Sequence, residues 1–244
     1  MLPDYVRCIF WTDKDLREDD IILKVLKKVV AIGEPFSPNK MLLDDDTRMR
    51  YVKCEIPKDY DRIKKSINVY DNLKFGFMRE QNDYFHLNFG RRSYDGRNQY
   101  GRKASPNTVG LELERHLFTD DSIATQYVET CQLLYDKVSP YYGYVHESDD
   151  VQKIHREDEW LEIFHTPQFS LIYWINFFGP SVVENYGGRK RFLKAPGWKV
   201  HELDDGGIML ILYPNPLQPE TKEKRSVQNA VLQHFDLEPI SLSG

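Results

Sequence analysis

Three histidines, His146, His155 and His165, lie among Glu147, Asp149, Asp150, Glu157, Asp158, Glu159 and Glu162. Imidazole nitrogens and carboxylate oxygens make a donor set for zinc or another divalent ion. Metal sites on one element use close pairs such as HxxxH or HExxH, which fix two ligands on one face. The wider spacing of these histidines does not, so neither a metal site nor a cofactor is expected. A metal-dependent hydrolase built on them stands only as an alternative. Nucleophilic catalysis has no better footing. No GxSxG elbow occurs, and Cys131 falls on the apolar stripe of a helix, where a cysteine packs rather than attacks. No catalytic residue is assigned, and the chain is not expected to be an enzyme.

Two other constellations point to binding. Arg91, Arg92, Arg97, Arg102 and Lys103 are interleaved with Tyr94 and Tyr100, opposed only by Asp95. Cations that displace phosphate counterions, with aromatic faces for stacking, could make a nucleic-acid module. A long solvated loop explains the same residues, and no GxxxxGK[ST] or GxGxxG phosphate cradle is present. The acidic residues cluster at Asp44-Asp45-Asp46, Asp120-Asp121, Asp149-Asp150, Glu157-Asp158-Glu159 and Asp204-Asp205. Asp120-Asp121 is placed to cap a helix, and Asp204-Asp205-Gly206-Gly207 has the chemistry of a hairpin turn. The others are candidates for docking a basic protein: Asp44, Asp45, Asp46, Glu147, Asp149, Asp150, Glu157, Asp158 and Glu159. Acidic patches of this kind steer association with cationic partners.

The elements that must position these groups are legible from periodicity. Tyr5 to Trp11 reads as a strand. Ile22, Val25, Leu26, Val29 and Val30 recur at helical spacing between an Asp19 or Asp20 cap and Gly33, with Lys24, Lys27 and Lys28 opposite. After a Pro35–Asn39 loop, Tyr51 to Ile56 alternates as a strand, with Val52, Cys54 and Ile56 on one face. Pro57 opens a helix striped by Tyr60, Ile63, Ile67 and Tyr70. Leu73 to Met78 and Tyr84 to Gly90 follow as strands, then a polar loop over 91–107. Val109, Leu111 and Leu113 alternate with Gly110, Glu112 and Glu114, predicting a half-exposed strand. Ala124, Tyr127, Val128, Cys131, Leu134, Tyr135 and Val138 mark a strong amphipathic helix, stopped by Ser139-Pro140 before a strand at Tyr141–His146.

Leu171 to Phe178 is the least polar stretch and reads as a central strand, with Tyr173, Trp174, Phe177 and Phe178 in the core. Pro180 begins a short helix that Gly187 and Gly188 end. Trp198 to Leu203 and Ile208 to Tyr213 form a hairpin. A last helix, roughly Glu220 to Phe235, is anchored by Val227, Ala230, Val231 and Phe235. The succession predicts an α+β fold, with a mixed, largely antiparallel sheet and helices packed on it. Residues 1–244 are read as one domain, with a possible division into two lobes near 148–168.

At 244 residues the chain can bury a large core, and 41% hydrophobic with 29% charged residues is a globular balance. A net charge of −5 does not suit a molecule built to coat nucleic acid. The three cysteines, Cys8, Cys54 and Cys131, are widely spaced and odd in number, which fits a reducing compartment and buried thiols. The start MLPDYVRCIFW has no signal-peptide pattern, and no apolar run approaches a membrane span. A cytoplasmic protein with no membrane partner is expected.

The stretch WINFFGPSVVENYGGRKRFLKAPGWKVHELDDGGIMLILYPNP resembles the C-terminal part of a group of bacterial proteins. The shared pattern falls on Phe178-Gly179-Pro180, Gly187-Gly188, Arg191, Leu193, Ala195-Pro196 and Asp205-Gly206-Gly207. The group is similar to the immunity proteins of bacterial polymorphic-toxin and type VI secretion systems. The marks are mostly turn residues and cover roughly a fifth of the chain, so they speak of fold before activity. The resemblance implies a non-enzymatic antidote that binds and occludes a cognate toxin of basic surface. It carries no functional residue across to this chain and says nothing of oligomeric state.

Overall fold

Alternation along Tyr5–Thr12 (β1) sends Val6, Cys8 and Phe10 to one side and Arg7, Ile9 and Trp11 to the other. Both sides are largely buried, so β1 lies inside the sheet rather than at a rim. The computed structural model describes residues 4–16, 20–44, 49–67, 74–81, 83–90, 107–147, 169, 171–217 and 221–239. Its described strands continue with β2 (Lys40–Asp44), β3 (Met49–Lys53), β4 (Lys74–Gln81), β5 (Asp83–Gly90) and β6 (Asn107–Glu114). They end with β7 (Tyr142–Glu147), β8 (Ile175–Phe178), β9 (Lys199–Glu202) and β10 (Ile208–Ile211). The described helices are α1 (Ile21–Ile32), α2 (Tyr60–Ile67), α3 (Asp121–Val138), α4 (Pro180–Asn185), α5 (Arg189–Phe192) and α6 (Thr221–His234).

The described strands form one sheet in the order β3-β2-β4-β5-β6-β1-β7-β8-β10-β9. The fold is α+β, and every described pairing is antiparallel, so the mixed character expected of the sheet is absent among these strands. The stretch 171–178 is shorter as a strand than its apolarity suggests. Asn176 bonds back to the Tyr173 backbone through both amide atoms, which bends the chain before β8. β8 lies between β7 and β10, toward one side of the sheet, and β6 and β1 hold the middle. Lys40–Asp44, which carries no strong alternation, is nevertheless a strand because β4 templates it.

Helix α3 secures one face. Asp120 caps it by accepting from the Ser122 N–H at 2.8 Å. Its Tyr127 hydroxyl sits between the Leu111 and Val6 carbonyls, at 2.9 and 3.3 Å. Tyr135 stacks on Phe177, and Tyr127 on Trp174. Each large side chain buried this way contributes about 1.5–3 kcal/mol. The strand β6 is not half-exposed as its alternation predicts: Glu112 is itself buried, held by ion pairing across the sheet. In α6 the anchors are Gln228, Val231, Leu232 and Phe235, and Ala230 is exposed. A tilt of the buried stripe by one position puts Gln228 Nε2 on the Ile172 carbonyl at 2.7 Å.

Candidate partner-docking site

Of the acidic residues expected to form the contact face, Asp44 and Glu147 are among the described residues. Asp44 ends β2, while Asp45, Asp46, Asp149, Asp150, Glu157, Asp158 and Glu159 lie outside the described residues. Glu147 ends β7 and is 4% exposed. Five strand positions separate β2 from β7, roughly 24 Å at about 4.8 Å per strand. The register also sets Asp44 and Glu147 toward opposite ends of their strands. They do not share one patch. Glu147 accepts from Arg115 Nε at 2.8 Å and from Lys224 Nζ, which also reaches the Pro216 carbonyl at 2.5 Å. Its carboxylate joins β7, the 3-10 turn after β6, and α6, so it is engaged inside the molecule.

The other sequence candidates divide similarly. Arg91 to Lys103, His155 and His165 are outside the described residues. His146 is buried, its Nδ1 2.8 Å from the Glu147 carbonyl and its ring beside Tyr144 and Tyr173. Among the described residues, no group of three or more His, Cys, Asp or Glu could hold a metal. The three cysteines are buried free thiols. Burial pushes the Cys8 thiol well up and the Cys54 thiol up to about 11, so both stay protonated at neutral pH.

One polar row escapes the sequence reading. Glu112 Oε1 lies 3.1 Å from Arg7 Nε, and its Oε2 lies 3.3 Å from His86 Nδ1. His86 Nε2 in turn sits 3.4 Å from the Tyr51 hydroxyl. Gly76 makes room on the strand between: a Cβ there would come within 3.1 Å of His86 Nε2. The signal was present in the polar positions of alternating β5 and β6, but alternation alone reads as a wet face. This row cross-links strands and lines neither of the two surface clefts among the described residues.

The most exposed large apolar side chain among the described residues belongs to the C-terminal hairpin. β9 and β10 are joined by Asp204-Asp205-Gly206-Gly207, with Gly206 at φ 87°. Asp205 closes the turn by accepting from the Gly207 N–H at 2.9 Å and from the Tyr135 hydroxyl at 2.9 Å. Burial first, and then the Asp205 charge, push the Tyr135 hydroxyl well up, so it donates. A Cβ on Gly207 would stand 2.2 Å from that hydroxyl, which is why glycine is required there. At the hairpin's other end Gly197 passes tightly over Leu210 and delivers Trp198, which is 57% exposed.

Between α3 and the hairpin runs a cleft of about 240 Å³. Thr125, Val128, Glu129 and Gln132 form one wall, and Trp198, Lys199, His201, Met209, Ile211 and Pro214 form the other. Toward the turn it is flanked by Asp136 and Asp204. Partial burial, and then the Asp204 charge, hold the Asp136 carboxyl above its ordinary value. β9 ends the sheet, and its outer edge is unpaired among the described residues. The cleft thus has an exposed indole and, among the described residues, an open strand edge beside it.

Comparison with known proteins gives a likeness of fold. No family model matches the chain, and no curated protein matches it in sequence. The structure is similar to the T6SS protein PA0821 of Pseudomonas aeruginosa. The TM-score is 0.68 at 8% identity, over 99% of this chain and 77% of that one. The likeness therefore spans the N-terminal strands, which resemble no family in sequence, as well as the C-terminal hairpin. No helix among the described residues is long and apolar enough to cross a membrane.

Proposed function

We propose that this chain is a cytoplasmic immunity protein of the type VI secretion kind, which neutralises a cognate toxin by binding and occluding it. The observation that carries the reading is the likeness in fold to a T6SS protein along nearly the whole chain. The FGP–GG–AP–DGG pattern at 178–207 supports it independently. On this reading the protein acts stoichiometrically, with no turnover and no cofactor. The partner is a protein with a basic surface. The charges of Asp45, Asp46, Asp149, Asp150, Glu157, Asp158 and Glu159 speed its approach.

Co-expression in a sensitive host with the toxin encoded beside this chain's gene tests the reading. Growth is expected to be restored, with a one-to-one complex recovered from the cells. Unrelieved killing, with no complex formed by the purified proteins, would remove it.

A further inference from the structure

We propose that the toxin is gripped by strand addition: an extended segment of it, apolar on one side and bearing Lys or Arg near one end, pairs with the free edge of β9 beside the α3 cleft. This rests on the immunity reading and specifies where and how its partner is held.

The hydrogen-bond phase of the hairpin leaves β9 ready for it. Leu203 N–H donates to the Gly207 carbonyl at 2.9 Å, while Leu212 N–H donates away from β9, to the Trp174 carbonyl at 2.9 Å. Opposed residues in antiparallel strands alternate between bonded and non-bonded pairs. Lys199 and His201 therefore bond inward to Ile211 and Met209 of β10, while the N–H and C=O groups of Val200 and Glu202 point out from the sheet. Two residues with outward backbone groups, in a strand of four, suit a short docking segment. A short edge with a lysine also blunts indiscriminate pairing. The exposed indole of Trp198 works against that protection, and large aromatics at a sheet rim are the usual anchors of a protein interface.

The sheet's opposite edge lacks these features. In β3, Tyr51 is half-exposed, but its hydroxyl meets His86, and its exposed neighbours Arg50 and Lys53 are basic. At β9 the cleft would take an apolar side chain against Val128, Met209 and Trp198. Charge selects the occupant's sign. Asp136 and Asp204 repel one another at the turn end, and a cation between them relieves that repulsion. Glu202 does not compete for the same cation, because Arg189 pairs with it through two bonds.

The test compares wild type with Val200→Pro, Trp198→Ala and Asp204→Lys, using the co-expressed toxin for protection and its purified, inactivated form for affinity. Proline at 200 removes an outward N–H and leaves the inward ladder to β10 intact. Circular dichroism melts confirm which variants stay folded. The expected result is protection by wild type and a tenfold or greater loss of affinity in each folded variant. Hydrogen exchange at the Val200 and Glu202 amides should slow in the wild-type complex. If wild type protects and Trp198→Ala and Asp204→Lys bind as tightly as it does, strand addition is overturned while the immunity reading stands. If wild type gives no protection and no complex, both fall. A wild type that is dimeric by sedimentation, and made monomeric by Val200→Pro, would assign the edge to a second copy and overturn the proposal.

Discussion

Glu147 and Asp136 are both carboxylates at the end of an element, yet they have opposite surroundings. Glu147 is buried between two cations, Arg115 and Lys224, and is part of the molecule's internal framework. Asp136 is exposed, with Asp204 and Asp205 as neighbours and Lys137 as a partial counterweight. The difference shows that a count of acidic residues says little about which are available to a partner. Availability depends on what the fold has already placed beside each one. Where cations converge, a carboxylate becomes structure. Where carboxylates converge on a surface, the charge is left for something else to neutralise.

The sharpest way to break the comparison is at Glu147. Glu147→Ala leaves Arg115 and Lys224 without their shared acceptor in a mostly buried site. Removing one partner of a buried ion pair costs about 3–5 kcal/mol, and chemical denaturation should show a loss of that order. A change below about 1 kcal/mol would mean that the cations find other acceptors, and that Glu147 is not the framework group described here. The same substitution at Asp136 should leave the midpoint close to wild type.

The hairpin gives the next effect. Gly207→Ala puts a methyl group against the Tyr135 hydroxyl and 2.8 Å from the Phe178 carbonyl. Overpacking of this kind costs about 1–3 kcal/mol. Tyr135→Phe removes the hydroxyl, so in the double variant the two losses should not add. Strict additivity in thermal melts would show that the turn does not bear on α3 through that contact.

These residues also mark how far the sequence could be read. The hairpin was legible because Asp-Asp-Gly-Gly names its own turn, between an alternating strand and a short apolar run. The cap of α3 and its buried stripe were equally clear, since Asp120 and the i, i+4 repeat are local signals. Lys40–Asp44 was not legible as a strand: its partner β4 lies more than thirty residues on, and pairing rather than propensity makes it. Glu112 was misread because alternation reports which residues share a face and not whether that face is wet. Arg7 and His86, from distant strands, make its burial tolerable. The cleft beside Trp198 was invisible for a similar reason. Trp198 reads as one more aromatic until the hairpin is set against α3 and leaves the indole outside.

The smallest effect is a pH slope, and its sign follows from Asp136. Its folded carboxyl titrates above the ordinary value, so between the unfolded and folded values the folded chain holds more protons than the unfolded one. Stability therefore falls as pH rises through that window and is fully restored below it. Asp120 has the reverse linkage. Its bond from Ser122 lowers its value, so its stabilising effect is present above the ordinary carboxylate range and is lost as pH falls through the folded value. Asp136→Asn should remove the first slope and leave the second, giving a stability curve that no longer declines just above the ordinary carboxylate range. Melts across the acid limb, with an NMR titration of the Asp136 side chain, measure it. If the Asp136 carboxyl titrates at its ordinary value, the crowding at the turn is absent. The electrostatic case for a cationic partner there goes with it. If the raised value is found, a cation arriving at Asp204 must expel the Asp136 proton. Binding should then tighten as pH rises through the same window in which the free protein loses stability.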